Sequence, residues 1–203
     1  MLIDNKIISV LTIKDYKKSL DLAKCLYDSG IVNLDIRLRT QQSKKAIELI
    51  KNSKFKFNIG IGTVLSLEDL YFVKSLGIKY AYSPNTDVKI LNNANKLDIQ
   101  FIPGISNIDN VISAVKYNCK YLKYYPAEKS GGVSNLDLII AKSKIKNLKF
   151  IAMGGITSIN IKPYLMHKNI IGIGTSWIAE ESLIESSNCC LLYTSDAADD
   201  TDS

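Results

Sequence analysis

The chain has 203 residues, of which 46% are hydrophobic and 23% are charged, and its formal net charge at pH 7 is +6. This size and composition predict one globular domain with a sizeable hydrophobic core. The sequence shows no apolar run long enough to cross a bilayer, no signal-peptide pattern and no basic stripe interleaved with aromatic residues, so we expect a cytoplasmic protein that binds neither membranes nor nucleic acids.

Short β-branched runs alternate with amphipathic segments through the first 188 residues. Eight strands are predicted, at Ile7–Thr12, Asn33–Arg39, Lys56–Gly62, Lys79–Ser83, Gln100–Pro103, Tyr121–Tyr125, Lys149–Met153 and Ile170–Gly174. The predicted helices lie between them, at Asp15–Ser29, Ser43–Asn52, Leu67–Gly77, Asp87–Leu97, Ile108–Asn118, Leu136–Ser143 and Ile159–His167. Ser66 and Thr157-Ser158 are expected to begin helices, and Gly30 and Gly77 to end them.

Regular alternation of strands and helices predicts a parallel sheet covered by helices. Eight such units in so short a chain favour an α/β fold of the (β/α)8 TIM-barrel type over an open doubly wound sheet. No glycine-rich dinucleotide-binding motif follows the first predicted strand, which agrees with the barrel. In barrels of this kind the functional residues lie at the C-terminal ends of the strands.

The composition changes near the C-terminus. The segment from Cys189 to Ser203 contains no lysine and carries four aspartates after Cys190. It resembles the translation of a sequencing adapter, and we expect it to be non-native, with the barrel covering residues 1–188 and its final helix truncated. The alternative is an ordinary disordered acidic tail.

Lys123 is the most informative residue of the sequence. It stands at the centre of an aromatic and apolar predicted strand that runs into Pro126-Ala127-Glu128. Burying an ammonium group is costly, so a buried lysine tends to lose its proton. A neutral amine in a dry pocket is a nucleophile that forms Schiff bases with ketones. The alternative is a lysine that extends from the end of the strand to solvent.

Charged residues also alternate along the second predicted strand. Asp35, Arg37 and Arg39 share one face, and the opposite face carries leucine and isoleucine. Since the apolar face must meet the helices, the charged face should point into the barrel. A guanidinium there can hold a carboxylate in a forked pair.

Glycine-containing turns follow several predicted strands. Thr63 comes after Gly60-Ile61-Gly62, Gly154-Gly155 ends the seventh strand, and Ser176 follows Gly174 at the end of the eighth. Such turns expose backbone amides, and we expect helix N-termini beside the last two to add a favourable dipole for a phosphate. With Lys123 and Arg39, this set predicts a pocket for a phosphorylated 2-oxo acid.

The ordered motifs resemble those of the 2-dehydro-3-deoxy-phosphogluconate (KDPG) / 4-hydroxy-2-oxoglutarate aldolases. The segment Leu122-Lys123-Tyr124-Tyr125-Pro126-Ala127-Glu128 is the most specific of them. The others are Leu34-Asp35-Ile36-Arg37-Leu38-Arg39-Thr40, Gly60-Ile61-Gly62-Thr63-Val64-Leu65, Tyr82-Ser83-Pro84, Ile102-Pro103-Gly104-Ile105-Ser106, Gly154-Gly155-Ile156 and Gly174-Thr175-Ser176-Trp177. The resemblance spans roughly Ile7 to Ile178.

This resemblance implies a homotrimeric class I aldolase that needs neither a metal nor another cofactor, because the substrate forms a covalent imine with the enzyme. It implies that Lys123 forms the Schiff base and that Asp35 occupies the position of the family's catalytic glutamate. It further implies substrate binding by the residues Arg39, Thr63, Pro84, Gly154, Gly155 and Ser176. The products would be pyruvate and an aldehyde such as glyceraldehyde 3-phosphate.

Three residues depart from the family pattern. Asp35 is one methylene shorter than glutamate, Arg37 replaces a small or polar residue, and Met153 replaces a threonine near the substrate hydroxyls. These changes leave open an aldolase for a galactonate-derived epimer, or a degenerate barrel that binds a phosphorylated ligand without catalysis. A sugar-phosphate epimerase is less favoured, because it would use carboxylates without a central strand lysine.

Overall fold

Parallel strands and helices alternate through residues 6–179, which are the residues that the computed structural model describes. The strands are β1 Ile7–Leu11, β2 Asn33–Arg37, β3 Asn58–Gly62, β4 Tyr80–Tyr82, β5 Gln100–Ile102, β6 Gly104–Ile105, β7 Leu122–Tyr124, β8 Phe150–Met153 and β9 Ile170–Thr175. The α-helices are α1 Ser19–Asp28, α2 Ser43–Lys51, α3 Leu67–Ser75, α4 Val88–Lys96, α5 Ile108–Lys116, α6 Gly132–Ser143 and α7 Lys162–Met166. The predicted alternation is therefore confirmed.

The sheet closes into a barrel at the fifth predicted strand. The strand order is β5-β4-β3-β2-β1-β9-β8-β7-β6, and β5 and β6 are consecutive pieces of one extended segment, separated by Pro103. β5 pairs with β4 and β6 pairs with β7, so the two edges of the sheet meet in this segment. Proline has no amide hydrogen to donate, but the Pro103 carbonyl accepts a hydrogen bond of 2.9 Å from the Lys123 amide. The predicted barrel is confirmed, with its fifth strand interrupted.

Alternation along β2 puts its apolar and charged residues on opposite sides of the barrel wall. Leu34 and Ile36 are buried in the cluster between the strands and the helices. A separate cluster fills the barrel interior, and its buried members are Ile8, Val10, Tyr82, Ile102, Ile151 and Met153. Asp35 and Arg37 consequently project inwards, as predicted.

The predicted signals at Ser66 and Gly77 are confirmed, but two helix starts differ from the prediction: α6 begins at Gly132 instead of Leu136, and α7 begins later than predicted. Ser66 begins α3 with a capping box to Asp69, and Gly77 follows the same helix at φ 64°. The prediction that α7 begins after Thr157-Ser158 is wrong. The helix begins at Lys162, because Pro163 suits a first helical turn, and Ile159 is 94% exposed.

Within residues 6–179, no helix combines the length and the apolar character that a membrane span requires. The predicted non-native tail, residues 189–203, and the truncated final helix lie outside the described residues.

Position 62 must be glycine because any side chain there would collide with Asp35 and Arg37, whose side chains lie on the same side of the barrel wall. A Cβ atom there would lie 2.0 Å from Asp35 Oδ1 and 3.0 Å from Arg37 Cγ. We expect Gly62→Ala to lower the free energy of unfolding by about 1–3 kcal/mol, because a packed interior must shift, and also to lower turnover. Thermal melting and initial rates would measure the two effects.

The control for this variant is Gly77→Ala. A Cβ at Gly77 meets no atom within 4 Å, so only the left-handed backbone is strained. This variant should lose stability but keep its turnover. A Gly62→Ala protein with unchanged melting and rates would contradict the packing described here.

Candidate active site

A cavity of about 140 Å³ opens at the C-terminal ends of the strands. Seven of the eight predicted site residues line it: Arg39, Thr63, Pro84, Lys123, Gly154, Gly155 and Ser176. They come from segments far apart in the sequence, and the barrel brings them to one rim. The eighth, Asp35, does not line the cavity.

Lys123 lies at the centre of β7 with only 5% of its surface exposed. Its Nζ is 4.9 Å from the centroid of the Tyr125 ring and 6.0 Å from that of Tyr82. Burial lowers the pKa of this amine, the carboxyl group of Asp35 opposes that effect, and the two nearby arginines reinforce it. A larger fraction of this lysine is therefore uncharged and nucleophilic than of an exposed lysine at the same pH.

Asp35 is fully buried and lies one inward-facing position deeper in the barrel than Arg37. Neither of its carboxyl oxygens has a hydrogen-bond partner among the described residues. Burial raises its pKa, while Lys123, Arg37 and Arg39 act in the opposite direction. A buried carboxyl group without partners is costly to the fold, and such groups concentrate at functional sites.

Arg39 and Thr63 form a polar pair at the exposed rim. Arg39 Nε donates a hydrogen bond of 3.3 Å to Thr63 Oγ1. Thr63 has φ 60°, which is unusual for a β-branched residue and strains its backbone. Strain of this kind is found where a side chain is held for function, and here it directs a hydroxyl to the guanidinium. The pair presents donors suited to a carboxylate.

The Gly154-Gly155 turn is held tightly under the segment that follows β7. Both glycines have positive φ, 97° and 82°. A Cβ on Gly154 would lie 3.0 Å from Pro126 Cα, and one on Gly155 would lie 2.8 Å from Glu128 Cβ. The Glu128 amide also donates a hydrogen bond of 3.1 Å to the Gly154 carbonyl. Glycine is therefore needed here for both conformation and space.

The expected helix dipole at this turn is absent from the described structure. The predicted helix N-terminus after the seventh strand is wrong in position, because α7 begins at Lys162, well beyond Gly155. Ser176 is exposed and precedes a single 3₁₀ turn, Trp177–Ala179. Among the described residues, an anion at this rim would thus be held by backbone amides and the Ser176 hydroxyl.

Tyr125 is a cavity residue that was not among the predicted site residues. Its ring is the nearer aromatic neighbour of Lys123 Nζ and lines the cavity. The signal was present, since Tyr125 is two residues beyond Lys123 and strand alternation places both on the same side. Met153 also lines the cavity, and its side chain packs over Gly174, where a Cβ would be 2.6 Å from its Cγ.

A second cavity, of about 180 Å³, lies beside Asp98 and Cys119, away from the lysine. Burial raises the pKa of the Cys119 thiol to about 12, so it is a poor nucleophile. We regard the smaller cavity as the active site, since it combines a buried amine, a carboxyl group and anion-binding donors. Among residues 6–179, no group of histidine, cysteine and acidic side chains is arranged to hold a metal ion.

Known proteins resemble the chain in both sequence and structure. A family model described as KDPG and KHG aldolase matches residues 1–192. The 2-dehydro-3-deoxy-phosphogluconate aldolase of Pseudoalteromonas atlantica is 34% identical over 179 residues, a match that covers 88% of this chain and 82% of that protein.

Two solved structures extend the comparison. The KDPG aldolase of Legionella pneumophila, with pyruvate captured as a covalent carbinolamine, has a TM-score of 0.86 and 31% identity, covering 94% of this chain and 92% of that one. The 2-keto-3-deoxy-6-phosphogluconate aldolase of Zymomonas mobilis, with 3-phosphoglycerate, has a TM-score of 0.85 and 25% identity, covering 95% and 91%.

Proposed function

Because this chain belongs to the KDPG and KHG aldolase family, it is a class I aldolase, and we propose that Lys123 is the amine that forms its Schiff base. The substrate is 2-dehydro-3-deoxy-6-phosphogluconate or a related 4-hydroxy-2-oxo acid. The products are pyruvate and an aldehyde, such as glyceraldehyde 3-phosphate. The observation that supports this proposal best is a buried lysine amine in the same cavity as the Arg39–Thr63 pair.

The reaction begins when the unprotonated Lys123 Nζ attacks the C2 ketone of the substrate. Loss of water from the carbinolamine gives an iminium ion, whose positive charge draws electrons from the neighbouring C3–C4 bond. Asp35 removes the proton of the C4 hydroxyl through a water molecule, because it lies beneath the cavity and does not line it. The C3–C4 bond then breaks and the aldehyde leaves. The electron pair of the broken bond remains on the three-carbon fragment, which is now an enamine of Lys123.

The second half of the reaction frees the lysine. Protonation of the enamine at C3 restores an iminium ion, and water adds to its C2. Breaking the C2–N bond releases pyruvate and the free amine. The reaction involves no net oxidation or reduction. The iminium ion accepts the electron pair of the cleaved bond, a role that an external cofactor would otherwise fill.

The remaining assignments follow the rim of the cavity. Arg39 and Thr63 bind the C1 carboxylate, which fixes the ketone above Lys123. The amides of Gly154 and Gly155, with the Ser176 hydroxyl, bind the phosphate of a phosphorylated substrate, and Pro84 shapes the opposite side. The structure of the Zymomonas mobilis relative contains 3-phosphoglycerate, which supports a phosphorylated ligand for this family.

We also propose a cytoplasmic homotrimer, by analogy with the family, and a single barrel domain over residues 1–188 with 189–203 outside it. The non-catalytic alternative is not favoured, because a phosphate-binding barrel has no need for a buried amine. The epimer preference depends on Met153, an apolar residue at the cavity wall.

Trapping with borohydride tests the assignment of the reaction. Incubation of the wild-type protein with pyruvate and borohydride should reduce the imine to a stable secondary amine. Peptide mass spectrometry should find the pyruvyl adduct on Lys123. A folded, monodisperse protein that gains no adduct, or gains it at another lysine, would contradict the proposal.

A further inference from the structure

Arg37 is a cavity residue for which the mechanism above has no use. It lies on β2 between the deeper Asp35 and the exposed Arg39, opposite Gly62 of β3. Its side chain is half-buried and lines the cavity together with Lys123. Arg37 therefore reaches the region in which carbon–carbon cleavage takes place.

The guanidinium of Arg37 has no hydrogen-bonding partner that would account for its position. Its Nε is buried without an acceptor among the described residues. Asp35 is its nearest source of negative charge on β2, but both oxygens of Asp35 also lack hydrogen bonds, so the two groups do not form a direct pair. An arginine keeps its charge inside proteins, so this cation is available to an anion that enters the cavity.

The spacing of the two arginines suits a short substrate with two anionic groups. Arg37 is the last residue of β2, and the chain turns directly after it, since the Arg39 amide donates a hydrogen bond of 2.9 Å to the Arg37 carbonyl. The two side chains therefore leave neighbouring points of the backbone, and both line the cavity. Arg39 is already paired with Thr63 at the rim, where the C1 carboxylate is proposed to bind. Arg37 is more buried than Arg39, and its cation is left for a second anionic group of the substrate.

The volume of the cavity also favours a short substrate. Its 140 Å³ is below the roughly 300–1,000 Å³ typical of pockets for drug-sized ligands, so the shorter of the 4-hydroxy-2-oxo acids named above fill it most completely, whereas a longer substrate extends to the open rim. Arg37 and Met153 both occupy its wall, and Met153 is packed against Gly174. A compact acceptor whose charge lies close to the reacting carbon fits these limits.

We propose that Arg37 is a specificity-determining residue that binds a carboxylate on the aldehyde part of the substrate, next to the bond that is cleaved. The inference rests on the proposed function, because the aldehyde must react with an enamine on Lys123. It makes an aldehyde whose carbonyl carbon carries a carboxylate a better acceptor than a neutral aldehyde of similar size. Glyoxylate is the smallest aldehyde of the first kind, and glycolaldehyde is a neutral counterpart.

The test is the aldol addition of pyruvate to each of these two aldehydes. The quantity to compare is the ratio of kcat/KM for glyoxylate to kcat/KM for glycolaldehyde. Arg37→Gln should lower this ratio roughly tenfold to a hundredfold, because a charged hydrogen bond to the acceptor is lost. Arg39→Gln is the matched control, because it removes the other arginine of the same cavity, and it should lower both rates by a similar factor, since both reactions use the pyruvyl carboxylate.

An unchanged glyoxylate-to-glycolaldehyde ratio in folded Arg37→Gln would overturn the proposal. This holds even if both rates fall together, because an arginine that acted only on the charges of Lys123 and Asp35 would lower both rates equally. Wild-type protein provides a second measurement that needs no variant: a ratio near one would also overturn the proposal. Borohydride trapping of pyruvate separates the two levels of inference. An adduct with an unchanged ratio rejects only the role of Arg37, whereas absence of the adduct from wild-type protein rejects the proposed function itself.

Discussion

Replacement of Lys123 by methionine is expected to abolish the pyruvyl adduct and to lower kcat by roughly 10⁴-fold or more, as removal of a covalent nucleophile does. Lys123 is the only lysine among the residues that line the cavity. Methionine has a similar length but no amine, and it suits the apolar surroundings of a residue that is 5% exposed. The variant should therefore fold and remain inactive.

The measurements are borohydride trapping with peptide mass spectrometry, turnover by a pyruvate-coupled assay, and thermal melting. Lys129→Met is a suitable control, because Lys129 is exposed and lies outside the cavity-lining set. It should retain both the adduct and the rate. An adduct that persists in Lys123→Met, or turnover equal to that of the control, would show that a different amine performs the chemistry.

The barrel could be predicted because its main signals are local. The β-branched runs and amphipathic segments give the strand and helix order, and Ser66 and Gly77 are strong end signals that α3 obeys. The start of α7 could not be predicted in the same way. The Thr157 amide does donate a hydrogen bond of 2.7 Å to the Asn160 side chain, as at a helix start, but only a turn at residues 158–160 follows it, and the helix begins at Lys162.

The site was predictable to the extent that it depends on strand alternation. The charged face of β2 and the position of Lys123 on β7 follow from the period of two, and both point into the barrel. Depth along the barrel is a property of the register between strands, which the sequence does not reveal. Asp35 therefore proved to lie beneath the cavity, and the need for Gly62 beside it became visible only with the strands paired.

Replacement of Asp35 by asparagine is expected to lower the rate of aldol cleavage by about 10²–10⁴-fold, the usual range for loss of a general base. Borohydride trapping of pyruvate should survive, because imine formation requires the Lys123 amine and not the removal of a C4 proton. The carboxyl oxygens of Asp35 make no hydrogen bonds that asparagine would lose. Since burial raises the pKa of Asp35, a neutral side chain should not lower the melting temperature at neutral pH.

The pH dependence of trapping distinguishes this role from a purely structural one. The Asp35 carboxylate raises the pKa of Lys123, whereas burial and the two arginines lower it. Asparagine carries no charge, so the pKa of Lys123 should fall further, and the midpoint of pyruvate trapping should move to lower pH. Asp35→Ser is a second neutral variant, and it should move the midpoint in the same direction. A midpoint that stays in place, or a cleavage rate that equals that of the wild type, would remove Asp35 from the mechanism, because a general base beside the amine must influence both.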